Sequence, residues 1–372
     1  MRIFFSTGEA SGEYHAVALL QAMRRRSAEK IEAAGIGAER MRSAGVELWA
    51  DNRTWAAVGV VDAVEKIPRL AALGVGLAIR LLRSATDVAV LIDFGAFNLR
   101  LARLLRTLRF RGPIVYYIPP SAWLDDPVRA RKVARASTPL TIFRHQRDFY
   151  AGLGLEVFFF GHPLVSLVAE RPRRPAPPAT GGTIAILPGS RRGELERHVP
   201  PLLAAAEALA LERPLARFLV GAAHADARAF VAERLTHYPQ LSCEIVDGAQ
   251  AALAGADAAW IASGTAVLEA ALMGIPSVLL YITSNAQARI ARRVMAPIGR
   301  EFIGLPNLVL GRAVVPEILQ DSATPWALTS AMREILRHPE VQLDALGGLR
   351  EALGPPDALD RCAEFVLERA RP

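Results

Sequence analysis

The residues best suited to chemistry form a small turn, Ser263, Gly264 and Thr265. The apolar run 257–261 before this turn predicts a buried strand, and the Ala- and Leu-rich run after it predicts a helix. A helix that begins in this way exposes unpaired amide groups at its positive dipole end, here beside two hydroxyls. The turn therefore suits a phosphate or a sugar diphosphate, with Glu269 one helical turn further on for ribose hydroxyls. The alternative is a tight α/β crossover that binds nothing.

A second turn of the same kind occurs earlier in the chain. The apolar run 183–187 predicts a strand, and Gly189, Ser190, Arg191 and Arg192 lie between it and a predicted helix. Arginine is a planar, permanently charged donor suited to phosphate oxygens, although one such loop alone is more often a solvated pair of cations. Two such turns in one domain favour a ligand, because a doubly wound sheet binds its ligand at the carboxyl ends of its strands.

The elements that would position these turns alternate along the whole chain. Near-continuous apolar strands such as 87–93 and 114–118 are interleaved with helices, which predicts βαβ units and a parallel sheet. A Pro-rich stretch, 171–182, predicts an interdomain linker. We therefore expect an α/β protein with two Rossmann-like domains and a cleft between them. The predicted ranges are 1–170 for the first domain, 171–182 for the linker, 183–350 for the second domain, which carries both turns, and 351–372 for a helical tail.

Composition limits the class of protein further. The chain has 372 residues, 52% of them hydrophobic, and only two distant cysteines, Cys243 and Cys362, which suits a globular protein of a reducing cytoplasm. The N-terminal residues 1–7 lead directly into a predicted core strand, so we expect no signal peptide. No window of about 18 uncharged apolar residues predicts a membrane span.

The net charge of +7 comes mainly from arginine. It is compatible with nucleic acid, with an anionic membrane surface, or with ordinary solvated faces rich in arginine. Nucleic acid is the least favoured partner, because no recognised nucleic-acid motif and no basic patch interleaved with aromatics accompanies the charge.

One predicted helix carries an apolar stripe at helical spacing. The stripe consists of Ile67, Leu70, Leu73, Leu77 and Leu81, with Lys66, Arg69, Arg80 and Arg83 at its ends. An apolar stripe flanked by cations can lie in a membrane interface, whereas the usual meaning of such a stripe is a helix that faces a core.

Seven short motifs in a fixed order resemble one known family. They are residues 8–12 (GEASG), 119–123 (PPSAW), 160–164 (FGHPL), 187–191 (LPGSR), 262–266 (ASGTA) with Glu269, 305–308 (LPNL) and 316–320 (PEILQ). Each motif is weak alone, but together they are specific, and the set resembles the lipid-A-disaccharide synthase family over nearly the whole chain.

The resemblance implies an inverting glycosyltransferase of the B fold without a cofactor. Such an enzyme would join UDP-2,3-diacylglucosamine to 2,3-diacylglucosamine 1-phosphate through a β-1,6 bond and release UDP. Acylated substrates imply a cytoplasmic enzyme peripheral to the inner membrane, which favours the membrane interpretation of the stripe. A homodimer is a possible assembly.

By the same resemblance Asn307, Glu317 and Gln320 contact the nucleotide sugar. Their alternative roles are helix capping and surface polarity. Two other functions stay open: a related UDP-sugar enzyme, such as a 2-epimerase or another transferase, and a non-catalytic UDP-sugar-binding protein.

The resemblance makes residues 1–170 the acceptor and membrane-facing domain and residues 183–350 the UDP-sugar domain, and three departures from the family pattern fall in the first. Glu13 stands where an aspartate is usual, Ala96 stands where an acidic residue is usual, and residues 123–125 are Trp-Leu-Asp instead of Trp-Ala-Trp. The nucleotide side keeps its motifs, so the departures suggest a diverged member with a changed acceptor.

An inverting transfer needs a base for the acceptor hydroxyl. Asp93 is the first candidate because it ends a buried strand and faces the predicted cleft, and capping of the next element is its alternative role. Glu9 and Glu13, beside the first glycine loop, are the next candidates. His15 is expected on a helix surface, and His162 is expected to hold a turn through a hydrogen bond. We expect no metal site, because no Asp-x-Asp motif ends a strand and amides with Arg191 can stabilise the departing UDP.

Overall fold

The structure is a computed structural model. It describes residues 1–52, 62–120, 125–170, 172, 175–262, 264–284, 288–289 and 301–370, and leaves out the side chains of 62–67 and of Ala96. The chain divides into two compact units, Met1–Leu167 with Leu353–Pro372 and Val168–Ala352. Each is an α/β unit with a parallel sheet, which confirms the predicted fold class.

The first unit contains a seven-stranded parallel sheet with the order β3-β2-β1-β4-β5-β6-β7. Its strands are β1 (Arg2–Ser6), β2 (Glu32–Gly37), β3 (Val46–Asp51), β4 (Val88–Ile92), β5 (Ile114–Tyr117), β6 (Thr138–Thr141) and β7 (Phe158–Phe159). Its helices up to residue 167 are α1 (Ala10–Arg26), α2 (Glu39–Ser43), α3 (Asp62–Arg83), α4 (Gly95–Thr107), α5 (Pro127–Ala136), α6 (Arg144–Gly152) and α7 (Leu164–Leu167). Every residue of β4 is buried, as expected of a strand covered on both faces.

The second unit contains a six-stranded parallel sheet with the order β10-β9-β8-β11-β12-β13. Its strands are β8 (Gly181–Leu187), β9 (Leu215–Ala222), β10 (Cys243–Asp247), β11 (Ala258–Ala262), β12 (Ser277–Tyr281) and β13 (Glu317–Leu319). Its helices are α8 (Arg192–Glu212), α9 (Ala225–Leu235), α10 (Gly248–Gly255), α11 (Thr265–Met273), α12 (Leu305–Leu310), α13 (Pro325–Arg337), α14 (Pro339–Ala345) and α15 (Leu349–Leu353), with a 3-10 turn at Gln320–Ser322. Its core centres on Trp260, which stacks on Phe218 and donates from its indole nitrogen to the Leu328 carbonyl.

The tail of the chain packs with the first unit. Its helix α16 (Ala358–Ala370) contacts α1, and Arg26 pairs with Asp360 and Glu364. Three of the seven motif ranges belong to the first unit and four to the second, and the residues from Leu353 onward complete the first unit. Sequence composition did not indicate which unit the tail would join.

Helix α3 has the predicted stripe, but the stripe faces the protein. Leu77 and Leu81 are buried in the core of the first unit, and Leu70 and Leu73 pack partly against that core. The prediction that this stripe inserts into a membrane is therefore wrong, because the side chains are already buried against their own sheet. The side chains of Ile67 and Lys66 lie outside the described part of the structure.

The opposite face of α3 is also apolar. Val75, Ile79 and Leu82 are exposed on it. Arg80, one of the cations expected at a membrane, instead pairs with Glu47 at 2.6 Å and lies over the ring of Trp49. Among the described residues, no helix is long and apolar enough to cross a bilayer.

Candidate functional site

The candidate turns lie at the point where the strand order of each sheet reverses. In the second unit, β8 and β11 are neighbours, and the chain runs outward from them in opposite directions. In the first unit, β1 and β4 have the same relation. Ligands of doubly wound sheets bind at such switch points, outside the carboxyl ends of the strands. The topology thus brings each predicted pair of loops to the place where its sheet can bind a ligand.

The turn between β8 and α8 is closed by a carboxylate of its own helix. Glu194 Oε2 accepts hydrogen bonds from the amides of Ser190 (3.1 Å) and Arg191 (3.3 Å), and its Oε1 pairs with Arg191 Nη1 at 2.9 Å. Gly189 has a φ of 104°, and a Cβ there would lie 2.6 Å from Glu194 Oε2, so this position needs glycine. The Glu194 carboxylate thus already accepts from two of the amides that the sequence predicts as phosphate ligands.

Two histidines hold the carbonyl groups of the same turn. His198 Nδ1 lies 2.8 Å from the Pro188 carbonyl oxygen, and His224 Nε2 lies 2.8 Å from that of Ser190. Both carbonyls can only accept, so both ring nitrogens donate. The turn is therefore pinned on its amide side and on its carbonyl side, and its shape is set before any ligand binds. No pattern in the sequence marks Glu194, His198 or His224 as partners of this turn, because the side chains that fill a glycine-rich loop are decided by packing.

The turn between β11 and α11 has a different structure. Gly264 is its N-cap residue, has a φ of 144°, and has no neighbouring atom within 4 Å of the position of an added Cβ. Since glycine brings no side chain, no N-cap side-chain bond is made here. Thr265 opens the helix, and Glu269 is buried on it. Ser263 lies outside the described residues. Among the described residues, this turn therefore has no N-cap side chain at its amides, and its role as an anion site stays a prediction.

Asn307, Glu317 and Gln320 are fixed by bonds within the second unit. The Glu317 carboxylate accepts from the Ile303 and Gly304 amides and from Asn307 Nδ2, at 2.8–2.9 Å. Gln320 follows β13 in a left-handed conformation with φ of 52°. These bonds hold the segment before α12 against β13, and no side chain caps the helix itself. Contacts of the three residues with a nucleotide sugar stay a prediction.

Asp93 follows β4 in the first unit. Its side chain is exposed, its φ is 46°, and the next residue, Phe94, has a φ of 49°. Ile118, which follows the adjacent strand β5, has a φ of 60°. Left-handed conformations of residues other than glycine cost roughly 1–3 kcal/mol each and cluster at functional sites. The carboxyl edge of this sheet therefore holds strain at the candidate base.

The strained backbone at Asp93 is stabilised by buried polar groups. Its carbonyl oxygen accepts from Tyr116 Oη at 2.9 Å and from Asn98 Nδ2 at 3.0 Å. Burial, and then the negative charge of Asp93, raise the pKa of Tyr116 well above its usual value. Tyr116 therefore stays protonated and keeps donating to this carbonyl.

The other two candidate bases occupy distinct environments. Glu9 is the N-cap residue of α1 and is partly exposed beside the end of β1. Glu13 is buried; its Oε2 accepts from the Ala38 amide at 3.0 Å and its Oε1 from Asn52 Nδ2 at 3.3 Å. Both oxygens of Glu13 thus hold neighbouring loops, so its surroundings favour a positioning role over that of a base.

Two histidines of the first unit are buried close together. His15 and His162 have ring centroids 6.1 Å apart, so the expectation that His15 lies on a helix surface is wrong. Burial lowers the pKa of His15 to about 4 and that of His162 well below its usual value. His162 Nδ1 accepts from the Leu164 amide at 3.2 Å, so His162 does hold its turn as expected.

The departures from the family pattern can be located only in part. Residues 121–124 lie outside the described structure, but Asp125 is described and has its Oδ1 2.8 Å from His145 Nε2. The adjacent Gln146 donates to the Pro119 carbonyl at 3.2 Å. The beginning of α6 therefore anchors both sides of the segment that departs from the family.

Solved structures identify the class of fold. UDP-GlcNAc 2-epimerase from Neisseria meningitidis, bound to UDP-GlcNAc, superposes with a TM-score of 0.65 at 10% identity, over 99% of this chain and all of that one. The glycotransferase of kitacinnamycin superposes with a TM-score of 0.61 at 17% identity, over 100% and 99%. The protein thus has the two-unit α/β fold shared by B-fold glycosyltransferases and these epimerases.

Sequence comparison identifies the family within that class. The family described as lipid-A-disaccharide synthetase matches residues 3–343. A lipid-A-disaccharide synthase from Anaeromyxobacter sp. strain K is 37% identical over 98% of this chain and 97% of its own length. One from Pseudomonas aeruginosa strain UCBPP-PA14 is 34% identical over 99% and 98%. The chain belongs to the lipid-A-disaccharide synthase family of glycosyltransferases.

Proposed function

We propose that the protein transfers 2,3-diacylglucosamine from UDP to 2,3-diacylglucosamine 1-phosphate, forming a β-1,6 bond and releasing UDP. The observation that carries this proposal is the α11 N-terminus at Gly264, which has no side-chain cap and lies at the switch point of the second sheet. The chain that contains it belongs to this family. A diphosphate fits there because the first-turn amides lack partners and the helix dipole favours negative charge.

In this proposal the second unit binds the donor. The α11 amides and Thr265 contact the diphosphate, and the Arg191 guanidinium adds a positive charge from the neighbouring turn. Glu269 accepts from ribose hydroxyls, while Asn307, Glu317 and Gln320 contact the nucleotide sugar. Support for these roles comes from the shared edge of one sheet, on which β8 and β11 are adjacent.

Asp93 is the proposed base in the first unit. Its carboxylate removes the proton from the acceptor 6-hydroxyl while that oxygen attacks the anomeric carbon of the donor. The bond between this carbon and the diphosphate oxygen breaks, and its electron pair leaves with UDP, so the configuration inverts. Support comes from the exposed carboxylate and the strained backbone that holds it. Glu9, at the end of the adjacent strand β1, is the next candidate.

The proposed membrane contact is the outer face of α3, defined by Val75, Ile79 and Leu82. These residues are 41–47% exposed, and Arg69 and Arg83 are exposed on the same helix. Apolar side chains beside cations fit an anionic bilayer, where each nearby cation contributes about 1 kcal/mol. This face replaces the inward stripe as the surface that brings the enzyme to its acylated substrates.

A UDP-release assay tests the reaction. We expect release from the diacylated donor only when the acylated acceptor phosphate is present, with a β-1,6 disaccharide as the product by mass spectrometry and NMR. Release from a non-acylated donor with another acceptor would instead identify a related transferase. Conversion of UDP-GlcNAc without net UDP release would identify an epimerase, and UDP binding without turnover would identify a binding protein.

Vesicle co-sedimentation tests the membrane contact. We expect binding to phosphatidylglycerol vesicles that weakens with salt, and loss of binding in the variant V75E/I79E with its circular dichroism unchanged. Leu77→Glu is the matched control, because it places the same charge on the buried face and should unfold the unit. Undiminished binding by V75E/I79E would exclude this face.

A further inference from the structure

One buried histidine links strands that are not neighbours in the second sheet. His198, on α8, is fully buried. Its Nδ1 lies 2.8 Å from the carbonyl oxygen of Pro188, just after β8, and the amide of Ile282, just after β12, lies 3.0 Å from its Nε2. Strand β11 lies between β8 and β12 in the sheet. The imidazole therefore spans the carboxyl end of the strand that carries the Gly264 turn.

The bond to the Pro188 carbonyl and the bond from the Ile282 amide together require one form of the ring. The Pro188 carbonyl can only accept, so Nδ1 carries a proton, and the Ile282 amide can only donate, so Nε2 keeps its lone pair. His198 is therefore a neutral imidazole in this arrangement. Protonation at Nε2 would remove the acceptor of the Ile282 amide and would turn that nitrogen toward the Ile282 carbonyl oxygen, 3.1 Å away. That oxygen already accepts from Arg197 Nε at 3.0 Å.

The two bonded segments both continue into the predicted donor site. Pro188 precedes the turn of residues 189–191, whose amides are held by Glu194. Ile282 precedes Thr283, whose amide donates to Gln320 Oε1 at 3.3 Å. A change in the distance between these segments would therefore move groups on both sides of the Gly264 turn.

We propose that His198 is a positioning residue that sets the distance between the ends of β8 and β12 and thereby the affinity for the donor nucleotide. This inference rests on the proposed donor site in the second unit. His198 itself is buried and acts only through Pro188 and Ile282.

The surroundings of His198 keep it neutral near physiological pH. Burial lowers its pKa below the usual value, and the bond to Pro188, the charge of Glu194 and the Ile282 carbonyl raise it by smaller amounts, while Arg197 lowers it. The ring of Tyr281, on β12, faces it with centroids 5.8 Å apart. Acid should therefore release the Ile282 segment only below the ordinary histidine pKa of about 6.5.

Calorimetric titration with UDP tests the proposal at pH 7.5. In His198→Gln the side-chain amide can donate to Pro188 and accept from Ile282, so the Kd should stay within about threefold of the wild type. In His198→Leu both buried backbone groups lose their partner, so the Kd should rise by about tenfold or more. His338→Gln, an exposed histidine on the same unit, is the matched control and should change nothing.

The pH dependence separates positioning from simple loss of structure. As the pH falls below 6.5, the Kd of the wild type should rise relative to that of His198→Gln, and their ratio cancels the titration of UDP itself. A ratio that stays constant over the whole pH range in which the wild type remains folded would overturn the proposal, even if His198→Leu fails to fold.

A further readout distinguishes the failure of this proposal from that of the donor site. If the wild type does not bind UDP at all, the proposed donor site fails and the role of His198 in affinity fails with it. If the wild type binds UDP and His198→Leu, while folded, binds equally well, only the role of His198 fails. Hydrogen exchange at the Ile282 amide, slow in the wild type and His198→Gln and fast in His198→Leu, checks the linkage without ligand.

Discussion

The two strand-turn-helix motifs of the second unit have similar sequences and different structures. The β8–α8 turn is filled by the Glu194 carboxylate and pinned by His198 and His224. The β11–α11 turn has glycine at its N-cap and no N-cap side-chain bond. A Gly- and Ser-rich turn before a helix therefore predicts an anion site, but the anion can come from the protein itself. The side chain three residues into the helix decides which case applies, because it can reach back to the amides as in a capping box.

The comparison assigns separate tasks to the two turns. Under the proposed function, the closed turn supports and presents the Arg191 side chain, and the open turn offers its amides to the diphosphate. The predictions below test this division.

The largest effect should come from a change outside both turns. Asp93→Asn removes the proposed base and should lower kcat by about 100-fold or more, because general base catalysis contributes roughly that much. The Kd for UDP should stay unchanged, since both turns are intact. Asp148→Asn, an exposed aspartate of the same unit, is the control for activity and stability. Equal losses in kcat and in UDP affinity would show that Asp93 also contributes to UDP binding.

Acid should destabilise the first unit because His15 is buried there. The folded pKa of His15 is about 4, below the usual 6.5, so the unfolded chain binds more protons between these values. Stability is therefore complete above pH 6.5 and decreases by about 3 kcal/mol as the pH falls to 4. Hydrogen exchange in β1 and β4 at pH 7 and 5 measures this loss. His15→Gln should reduce the pH dependence, and a flat profile in the wild type would contradict the shift.

The open turn should lose its ligand when its glycine is replaced. Gly264→Ala adds a Cβ beside the α11 amides and forces a φ of 144° on alanine, so UDP affinity should fall by about tenfold. Gly248→Ala is a matched control, because Gly248 also has a positive φ and open space around it, at the start of α10. Calorimetry should detect the loss in the first variant alone. If the two variants bind UDP equally well, the open turn is not the diphosphate site.

The closed turn should lose stability rather than ligand. Glu194→Ala leaves the amides of Ser190 and Arg191 without their acceptor and should reduce the free energy of unfolding by about 1–2 kcal/mol. Glu196→Ala breaks only an exposed pair with Arg192 and should cost about 0.5 kcal/mol or less. Urea unfolding measures both variants. A stable Glu194→Ala variant that binds UDP more tightly would show that the carboxylate competes with the ligand instead of supporting the turn.

The sequence predicted the alternation of elements well because buried parallel strands leave a simple signal. The runs that became β4 and β11 are entirely apolar, and both strands are fully buried. The family was predicted from seven motifs and is confirmed by the family match. The helix α3 was also predicted, but its burial was not: the inner and outer faces are both apolar, so periodicity alone could not tell which one would meet the sheet.

The local sequence by itself determined the fold class, the family and the positions of the turns, because strands, helix starts and glycine turns depend on residues close together in the chain. Only the tertiary structure decided which turn is open, that Glu13 holds the Ala38 amide, and that His198 joins Pro188 to Ile282. These last contacts join residues 10 to 84 positions apart, and they form because buried polar groups must find partners wherever the packed elements bring them. The separation of two residues along the chain therefore does not predict which of them will become hydrogen-bond partners.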